Sequence, residues 1–209
     1  MATYLFDFDG TLVDSMEVYG SMMLRILDEN GMKYPDNILK IITPLGYSGT
    51  ADYFIKMGIS KTKEQLIATM NEYAKYNYHN VIVAKENVPE VLRELKKRGD
   101  SLNVLTASPH SVLDACLERN GIYHLFDNVW SCDDFGTTKS DPNIYIMAAE
   151  RMGVSVSDVI FLDDNFNADV TAKSAGMTVY GVYDKSSDEY VDEMKKVTDK
   201  YIYNFKELL

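Results

Sequence analysis

YLFDFDGTLVDS, residues 4–15, is the stretch that decides the fold of this chain. Its apolar start, Tyr4 to Phe8, predicts a strand. Asp7 and Asp9 lie two positions apart, so strand alternation brings both carboxylates to the same side of the chain. Gly10 permits a tight turn in which backbone amides approach an anion. An isolated pair of this kind is more often a solvated strand end. Whether the two aspartates form part of a functional site therefore depends on other residues of the chain.

Short apolar runs alternate with longer amphipathic segments over much of the remaining chain, which is typical of strand–helix units around a parallel sheet. We therefore predict the α/β fold class. The predicted strands are residues 4–8, 102–106, 128–130, 159–162, 178–181 and 200–203, and the predicted helices between them are residues 88–98, 111–120, 142–152 and 166–175.

Residues 15–83 depart from this alternation of strands and helices, because they show helical periodicity and no convincing strand. We expect an all-helical insertion, with residues 1–14 and 84–209 forming the core. Asp14 and Glu17 have the spacing of a capping box that begins the first inserted helix. That helix is expected to end at residues 30–31, and further helices are expected at residues 36–42, 50–57 and 63–78.

The net charge of −11 and the isoelectric point near 4.7 disfavour binding to a phosphate backbone. We expect no nucleic-acid partner, and a phosphate site on such a chain needs a local cation. The sequence begins without a leader-like segment and contains no run of transmembrane length, so no membrane partner is expected. Cys116 and Cys132 lie in no metal or redox pattern, which favours buried thiols in the cytoplasm. Nothing in the sequence demands more than a monomer.

Polar groups suited to phosphate chemistry follow four predicted strands or the loops that lead from them. Thr106 and Ala107 offer a hydroxyl and backbone amides just before a helix, which suits an oxyanion cradle. Lys139 precedes another helix and can reach the same sheet edge. Asp163 and Asp164 end a buried strand and match the oxygen ligands that Mg²⁺ prefers. Each group alone has an ordinary explanation as a cap or solvated loop residue, but together they supply a nucleophile, an acid, an anion clamp and metal ligands at one edge.

These motifs resemble those of the haloacid dehalogenase (HAD) superfamily, in its phosphatase-like branch with a helical cap inserted after the first motif. The resemblance covers the whole chain and rests on DFDGTLVDS (7–15), LTAS (105–108), KSDP (139–142) and FLDDN (161–165), in the family's order and spacing. It implies a Rossmann-like core, a mobile cap formed by residues 15–83 and a covalent aspartyl-phosphate mechanism.

The resemblance also implies a role for each catalytic residue. Asp7 would attack phosphorus, and Asp9 would protonate the leaving oxygen and later deprotonate the hydrolytic water. Thr106 and Lys139 would hold the phosphoryl oxygens, with Ala107 beside them at the substrate.

The cofactor implied by the resemblance is Mg²⁺. It would lie between the Asp7 carboxylate, the Asp9 carbonyl and Asp164. Asp163 is a second choice at the metal site, directly or through water.

The segment 44–50 is similar to the substrate-specificity loop of phosphoglycolate phosphatase-like members. Gly46 and Gly49 would let such a loop approach the leaving group, while Tyr47 and Ser48 would contact it. A simple turn between two helices is an equally good interpretation of any one of these side chains.

Departures from related branches narrow the function. Dehalogenases lack the second acid of the pair, so Asp9 favours phosphate esters. β-Phosphoglucomutases carry a histidine and a lysine where this chain has Tyr19 and Pro109, which favours hydrolysis over isomerisation. The position four after Asp164 is Ala168, and we leave the neighbouring Asp169 out of the site.

We therefore expect a magnesium-dependent phosphatase for a small phosphorylated metabolite. Its alternatives are a phosphosugar mutase and a phosphometabolite-binding protein without turnover. The sequence does not distinguish phosphoglycolate, a sugar phosphate, a nucleotide and pyrophosphate as substrates.

Overall fold

The computed structural model describes residues 1–209, apart from the side chain of Pro44. Six parallel strands form one sheet in the order β3-β2-β1-β4-β5-β6, which is the order of a doubly wound, Rossmann-like fold and confirms the predicted fold class. The strands are β1 (Thr3–Phe6), β2 (Ser101–Thr106), β3 (Asn128–Ser131), β4 (Val159–Asp163), β5 (Thr178–Val182) and β6 (Lys200–Ile202).

β1 lies at the centre of the sheet because its side chains are apolar on both faces. Tyr4, Leu5 and Phe6 are all buried, as expected for a parallel strand covered by helices on each side. Phe6 is in register with Val104 of β2 and with Leu162 of β4. The carboxyl end of β1 therefore lies between the carboxyl ends of β2 and β4, where the strand order reverses.

Five α-helices accompany this sheet: α5 (Val88–Lys97), α6 (His110–Arg119), α7 (Asn143–Met152), α8 (Phe166–Ala175) and α9 (Val191–Val197). One side of the sheet packs in a cluster that includes Leu5, Phe161 and Tyr145. The rings of Tyr145 and Phe161 meet edge to face, with centroids 5.0 Å apart. This packing anchors α7 beneath the end of β4.

The chain divides into two compact units. The first comprises residues 1–14 and 82–209 and contains the sheet, and the second comprises residues 15–81. The second unit is helical, with α1 (Met16–Glu29), α2 (Ile38–Ile42), α3 (Gly46–Met57) and α4 (Lys63–Asn80). Its core includes Met23, Ile26, Phe54, Leu66 and Met70, which are buried among one another.

The predicted capping box at Asp14 and Glu17 is wrong. Ser15 is the N-cap of α1, and its side chain makes no capping hydrogen bond. Asp14 instead takes part in a short backbone pairing, in which its N–H donates to the carbonyl of Val83 at 2.9 Å. An antiparallel bridge between Val13 and Ala84 continues that pairing, which explains why residues 82 and 83 belong to the first unit.

The loop predicted at residues 44–50 is also wrong for most of its length. Residues Thr43–Leu45 form a 3₁₀ turn, and α3 already begins at Gly46. Gly46 has a φ of +61°, a backbone conformation that glycine adopts without strain, and this lets the chain change direction between the two helical segments.

Across the part of the chain that the structure describes, none of the helices has both the length and the apolarity that crossing a membrane requires.

Candidate active site

Asp7 directly follows β1, at the point where the strand order of the sheet reverses. Its N–H donates to the carbonyl of Leu162 at 2.8 Å, which extends the pairing of β1 and β4 by one residue. Asp7 is only 6% exposed. The carboxylate is therefore held by the sheet itself, at the edge where ligands bind in open parallel sheets.

Two further carboxylates, Asp163 and Asp164, come from the end of β4. Each of the three acids offers one oxygen, and these oxygens all lie within 4.8 Å of one another. Burial, reinforced by repulsion from Asp163, raises the pKa of Asp7 to about 8, although Lys139 opposes this. Burial and repulsion from Asp163 and Asp7 likewise raise the pKa of Asp164 well above its usual range.

Lys139 lies in the loop before α7 and brings a positive charge to these acids. Its Nζ donates to Oδ1 of Asp7 and, at 2.8 Å, to Oδ2 of Asp163. Burial acts to lower the pKa of Lys139, but the attraction of Asp163 and Asp7 outweighs it and raises that pKa. The hydroxyl of Tyr145 donates to the Lys139 carbonyl at 3.1 Å and fixes the loop.

The three carboxylates fit a small divalent cation. Carboxylate oxygens are the ligands that magnesium prefers, and one lysine supplies a single positive charge against three acids. A divalent cation would favour the ionised forms of Asp7 and Asp164 and so reverse the effect of burial on their pKa values. Asp7, Asp163 and Asp164 are therefore the residues that could hold a metal ion.

The turn after β1 packs closely on Asp164. Gly10 has a φ of +75°, and its N–H donates to the carbonyl of Val13 at 3.0 Å. A Cβ at this position would lie 2.6 Å from Cγ of Asp164. Thr11 is fully buried, and its hydroxyl donates to Oδ1 of Asp164 at 3.0 Å. Only glycine allows this approach of the backbone to the carboxylate.

The motif LTAS (105–108) lies at the end of β2 and contacts Asp9. The Oγ of Ser108 donates to Oδ2 of Asp9 at 2.6 Å, and the N–H of Ser108 donates to Oγ1 of Thr106 at 3.0 Å. Thr106 is buried, while Ala107 is exposed at the turn between them. The structure thus brings Asp7, Asp9, Thr106 and Lys139 to one edge of the sheet.

Sequence reasoning missed two contributors. Thr11 stands in the first motif, and its hydroxyl beside the turn is the signal in the sequence that could predict its contact with Asp164. Ser108 stands in the second motif, LTAS (105–108), but that motif does not by itself predict the hydrogen bond from Ser108 to Asp9.

Asp169, which we left out of the site, lies close behind it on α8. It is fully buried, and neither carboxyl oxygen has a hydrogen-bond partner. Burial, followed by repulsion from Asp163 and Asp164, raises its pKa to about 9. Burial and the neighbouring Asp163 and Asp164 thus favour the neutral form of the Asp169 carboxyl group.

The residues predicted in the inserted segment lie in the second unit, in the first turn of α3. Tyr47 stacks on Tyr19 with ring centroids 6.2 Å apart, and Ser48 is exposed. Gly46 and Ser48 begin a helix rather than a loop. Substrate contacts by Gly46, Tyr47, Ser48 and Ala107 stay a prediction.

Comparison with known proteins agrees with the motifs and the sheet order. Residues 4–182 match the family described as haloacid dehalogenase-like hydrolase. The chain belongs to this family.

Two curated relatives of this haloacid dehalogenase-like hydrolase are phosphatases by name. The pyrophosphatase PpaX of Bacillus velezensis is 31% identical over 179 residues, which cover 85% of this chain and 81% of that protein. The validoxylamine A 7'-phosphate phosphatase of Streptomyces hygroscopicus subsp. limoneus is 26% identical over 178 residues, covering 85% and 84%. Family and relatives together place this hydrolase among the phosphoric monoester hydrolases.

Solved structures show the same fold. A candidate β-phosphoglucomutase from Thermotoga maritima superposes on this hydrolase with a TM-score of 0.84 and covers 100% of this chain and 97% of its own. The two sequences are 23% identical, so the likeness speaks for the architecture alone.

Proposed function

We propose that this protein is a magnesium-dependent phosphatase that hydrolyses a small phosphorylated metabolite through an aspartyl-phosphate on Asp7. The observation that carries the proposal is the position of Asp7. Its buried carboxylate lies beside Asp163 and Asp164 and receives a hydrogen bond from Lys139. A candidate nucleophile, candidate metal ligands and a cation that can neutralise phosphate thus lie together at one edge of the sheet.

In the first half of the proposed reaction, an oxygen of Asp7 attacks the phosphorus of the ester. The bond between phosphorus and the leaving oxygen breaks, and that oxygen takes a proton from Asp9. Ser108, which donates to Oδ2 of Asp9, holds this acid in place. Lys139 and the hydroxyl of Thr106 would hold the other phosphoryl oxygens.

In the second half, Asp9 accepts a proton from a water molecule as the water oxygen attacks the phosphorus of the aspartyl-phosphate. The bond between phosphorus and the Asp7 oxygen breaks, which releases phosphate and restores both acids. A magnesium ion held by Asp7, Asp164 and the Asp9 carbonyl, with Asp163 bound directly or through water, would supply positive charge for the transferring group.

We further propose that the second unit is a cap that selects the leaving group through Gly46, Tyr47 and Ser48. The substrates to test are phosphoglycolate, sugar phosphates, nucleotides and inorganic pyrophosphate, and the name of one relative, a pyrophosphatase, favours including the last of these. The two cysteines are free and buried, which supports a reducing compartment such as the cytoplasm.

The experiment that tests the proposal measures phosphate release from p-nitrophenyl phosphate, with and without MgCl₂. Asp7→Asn removes the nucleophile and is expected to abolish release. The matched control is Asp158→Asn, which makes the same change at an exposed residue before β4. Full turnover by Asp7→Asn would overturn the aspartyl-phosphate mechanism. Isomerisation of β-glucose 1-phosphate with little phosphate release would show a mutase instead.

A further inference from the structure

Lys85 and Asp184 form a buried ion pair that none of the motifs described above includes. Nζ of Lys85 lies 2.8 Å from Oδ2 of Asp184, and the two side chains are only 18% and 6% exposed. Replacing a buried ion pair by apolar residues is often neutral or stabilising, because removing two charges from water is costly. Stability alone is therefore a weak reason for this pair.

The contacts of Lys85 lead directly to the turn after β1. Its ammonium group donates to the carbonyl of Gly10 and, at 2.9 Å, to the carbonyl of Tyr183. With Asp184, these acceptors account for all three hydrogens of the ammonium group. The backbone of Lys85 is held as well, since its N–H donates to the carbonyl of Leu12 at 3.0 Å. Lys85 thus contacts the turn through both its side chain and its main chain.

Gly10 is the residue whose Cα packs against the carboxylate of Asp164, with a φ of +75°. The peptide unit whose carbonyl Lys85 binds leads into Thr11, which donates to Oδ1 of Asp164. Movement of this peptide would displace both contacts of the turn with Asp164. The chain of contacts therefore runs from Asp184 through Lys85 and Gly10 to the candidate metal ligand.

Asp184 is itself fixed by the turn that follows it. Its Oδ1 accepts hydrogen bonds from the N–H of Ser186 at 2.9 Å and from the hydroxyl of Ser186 at 2.6 Å. Burial acts to raise the pKa of Asp184, but the hydrogen bonds from Lys85 and Ser186 outweigh it and lower that pKa. Asp184 is thus an ionised, preorganised partner for Lys85.

We propose that Lys85 and Asp184 are positioning residues, whose ion pair holds the Gly10 peptide in the orientation that places Asp164 for metal binding. The inference rests on the proposed function, because it gives Asp164 the role of a metal ligand. Neither residue touches the reacting atoms, so the effect is expected in the affinity for metal as well as in turnover.

Mn²⁺, a paramagnetic stand-in for Mg²⁺, allows a direct test by EPR titration of the purified full chain. Lys85→Met is expected to weaken Mn²⁺ binding at least tenfold and to raise the MgCl₂ concentration needed for half-maximal phosphate release by a similar factor. A role through charge alone predicts the opposite result, because loss of a cation near Asp164 strengthens the attraction for Mn²⁺. Tighter or unchanged binding by Lys85→Met would therefore overturn the proposal.

Lys85→Arg keeps the positive charge but replaces the compact ammonium group, with its three hydrogens on one nitrogen, by a larger planar guanidinium group. We expect it to weaken Mn²⁺ binding several-fold, whereas binding equal to that of the wild type would contradict positioning by geometry. This variant also decides the question if Lys85→Met does not fold.

The matched control is Lys173→Met. It removes an exposed lysine that pairs with Asp199 at 2.5 Å elsewhere in the same unit. Mn²⁺ binding and phosphate release should stay unchanged, and thermal melting of each variant shows whether it is folded. Wild-type protein that neither binds Mn²⁺ nor releases phosphate would refute the proposed function, whereas wild-type activity with an unaffected Lys85→Met would refute only the positioning role.

Discussion

Thr11 donates a hydrogen bond from its buried hydroxyl to Oδ1 of Asp164, at a distance of 3.0 Å. The bond joins the turn after β1 to the end of β4, 153 residues later in the chain. The hydrogen bond fixes the rotation of the Asp164 carboxylate and leaves its second oxygen, Oδ2, available for a further contact. A candidate metal ligand is thus oriented by a residue from the turn that follows the candidate nucleophile.

Thr11→Val removes this hydrogen bond while nearly keeping the shape of the side chain. We expect the MgCl₂ concentration for half-maximal phosphate release to rise about fivefold, since a hydrogen bond of this kind contributes roughly 1 kcal/mol. Thr11→Ser keeps the hydroxyl and should respond to MgCl₂ within about twofold of the wild type. Equal responses from the valine and serine variants would show that the hydroxyl does not orient Asp164.

Gly10→Ala places a methyl group against the Asp164 carboxylate and forces alanine into a φ of +75°. The control is Gly121→Ala, because Gly121 has a φ of +66° but nothing lies within 4 Å of the added Cβ. Backbone strain should lower the free energy of unfolding of each variant by roughly 1–2 kcal/mol, so the melting temperatures of both should fall. Only Gly10→Ala should also lose most of its phosphate release. Retained activity in that variant would show that the turn tolerates displacement from Asp164.

Ser108→Ala removes the donor that contacts Oδ2 of Asp9 at 2.6 Å. Because Asp9 has to give up and then regain a proton from a defined position, loss of this contact should lower kcat about tenfold. KM should change much less. Ser157→Ala, at an exposed residue before β4, is the control and should match the wild type in kcat and in KM. An unchanged kcat for Ser108→Ala would show that Ser108 does not position Asp9.

Asp169 should make the stability of the protein depend on pH. Its pKa is raised from 3.8 to about 9 by burial and by the nearby Asp163 and Asp164. Between these values the folded state holds a proton that the unfolded state releases, so Asp169 lowers stability progressively as the pH rises from about 4 to about 9.

Asp169→Asn replaces the neutral acid by an amide that does not titrate in this range. The melting temperature of the variant minus that of the wild type should therefore increase from pH 5 to pH 8.5 by at least about 2 °C. The measurement is thermal melting of both proteins in buffers without divalent metal. A constant difference across this range would show that Asp169 is ionised in the folded protein.

The sequence by itself determined the fold class and the residues of the core motifs. Tyr4–Phe6 is buried on both faces, and so is the run 159–162 apart from the half-buried Ile160. The sequence pattern shows this, because a parallel strand covered by helices on both sides is mostly apolar. Because ligands bind at the carboxyl ends of such strands, the sequence also predicts Asp7, Thr106 and Asp163 as residues of the site.

Tertiary structure alone decided the partners of these residues. The bond from Ser108 to Asp9 and the bond from Thr11 to Asp164 join segments that lie 99 and 153 positions apart, and no local period encodes such distances. Lys85 illustrates the same limit, because a single lysine after a predicted insertion carries no motif. Its role becomes visible only where its ammonium group meets the Gly10 carbonyl.

The start of α3 and the burial of Asp169 show the physical reason for the remaining errors. Glycines in residues 44–50 predicted a loop, but the flanking apolar residues pack into the core of the second unit and draw the chain into a helix there. Asp169 has a polar side chain, which predicts exposure to solvent. It is buried nevertheless, because other elements pack against this position of α8. The local sequence pattern thus determined which helices and strands form. Packing between distant segments decided which polar groups contact one another and which of them are buried.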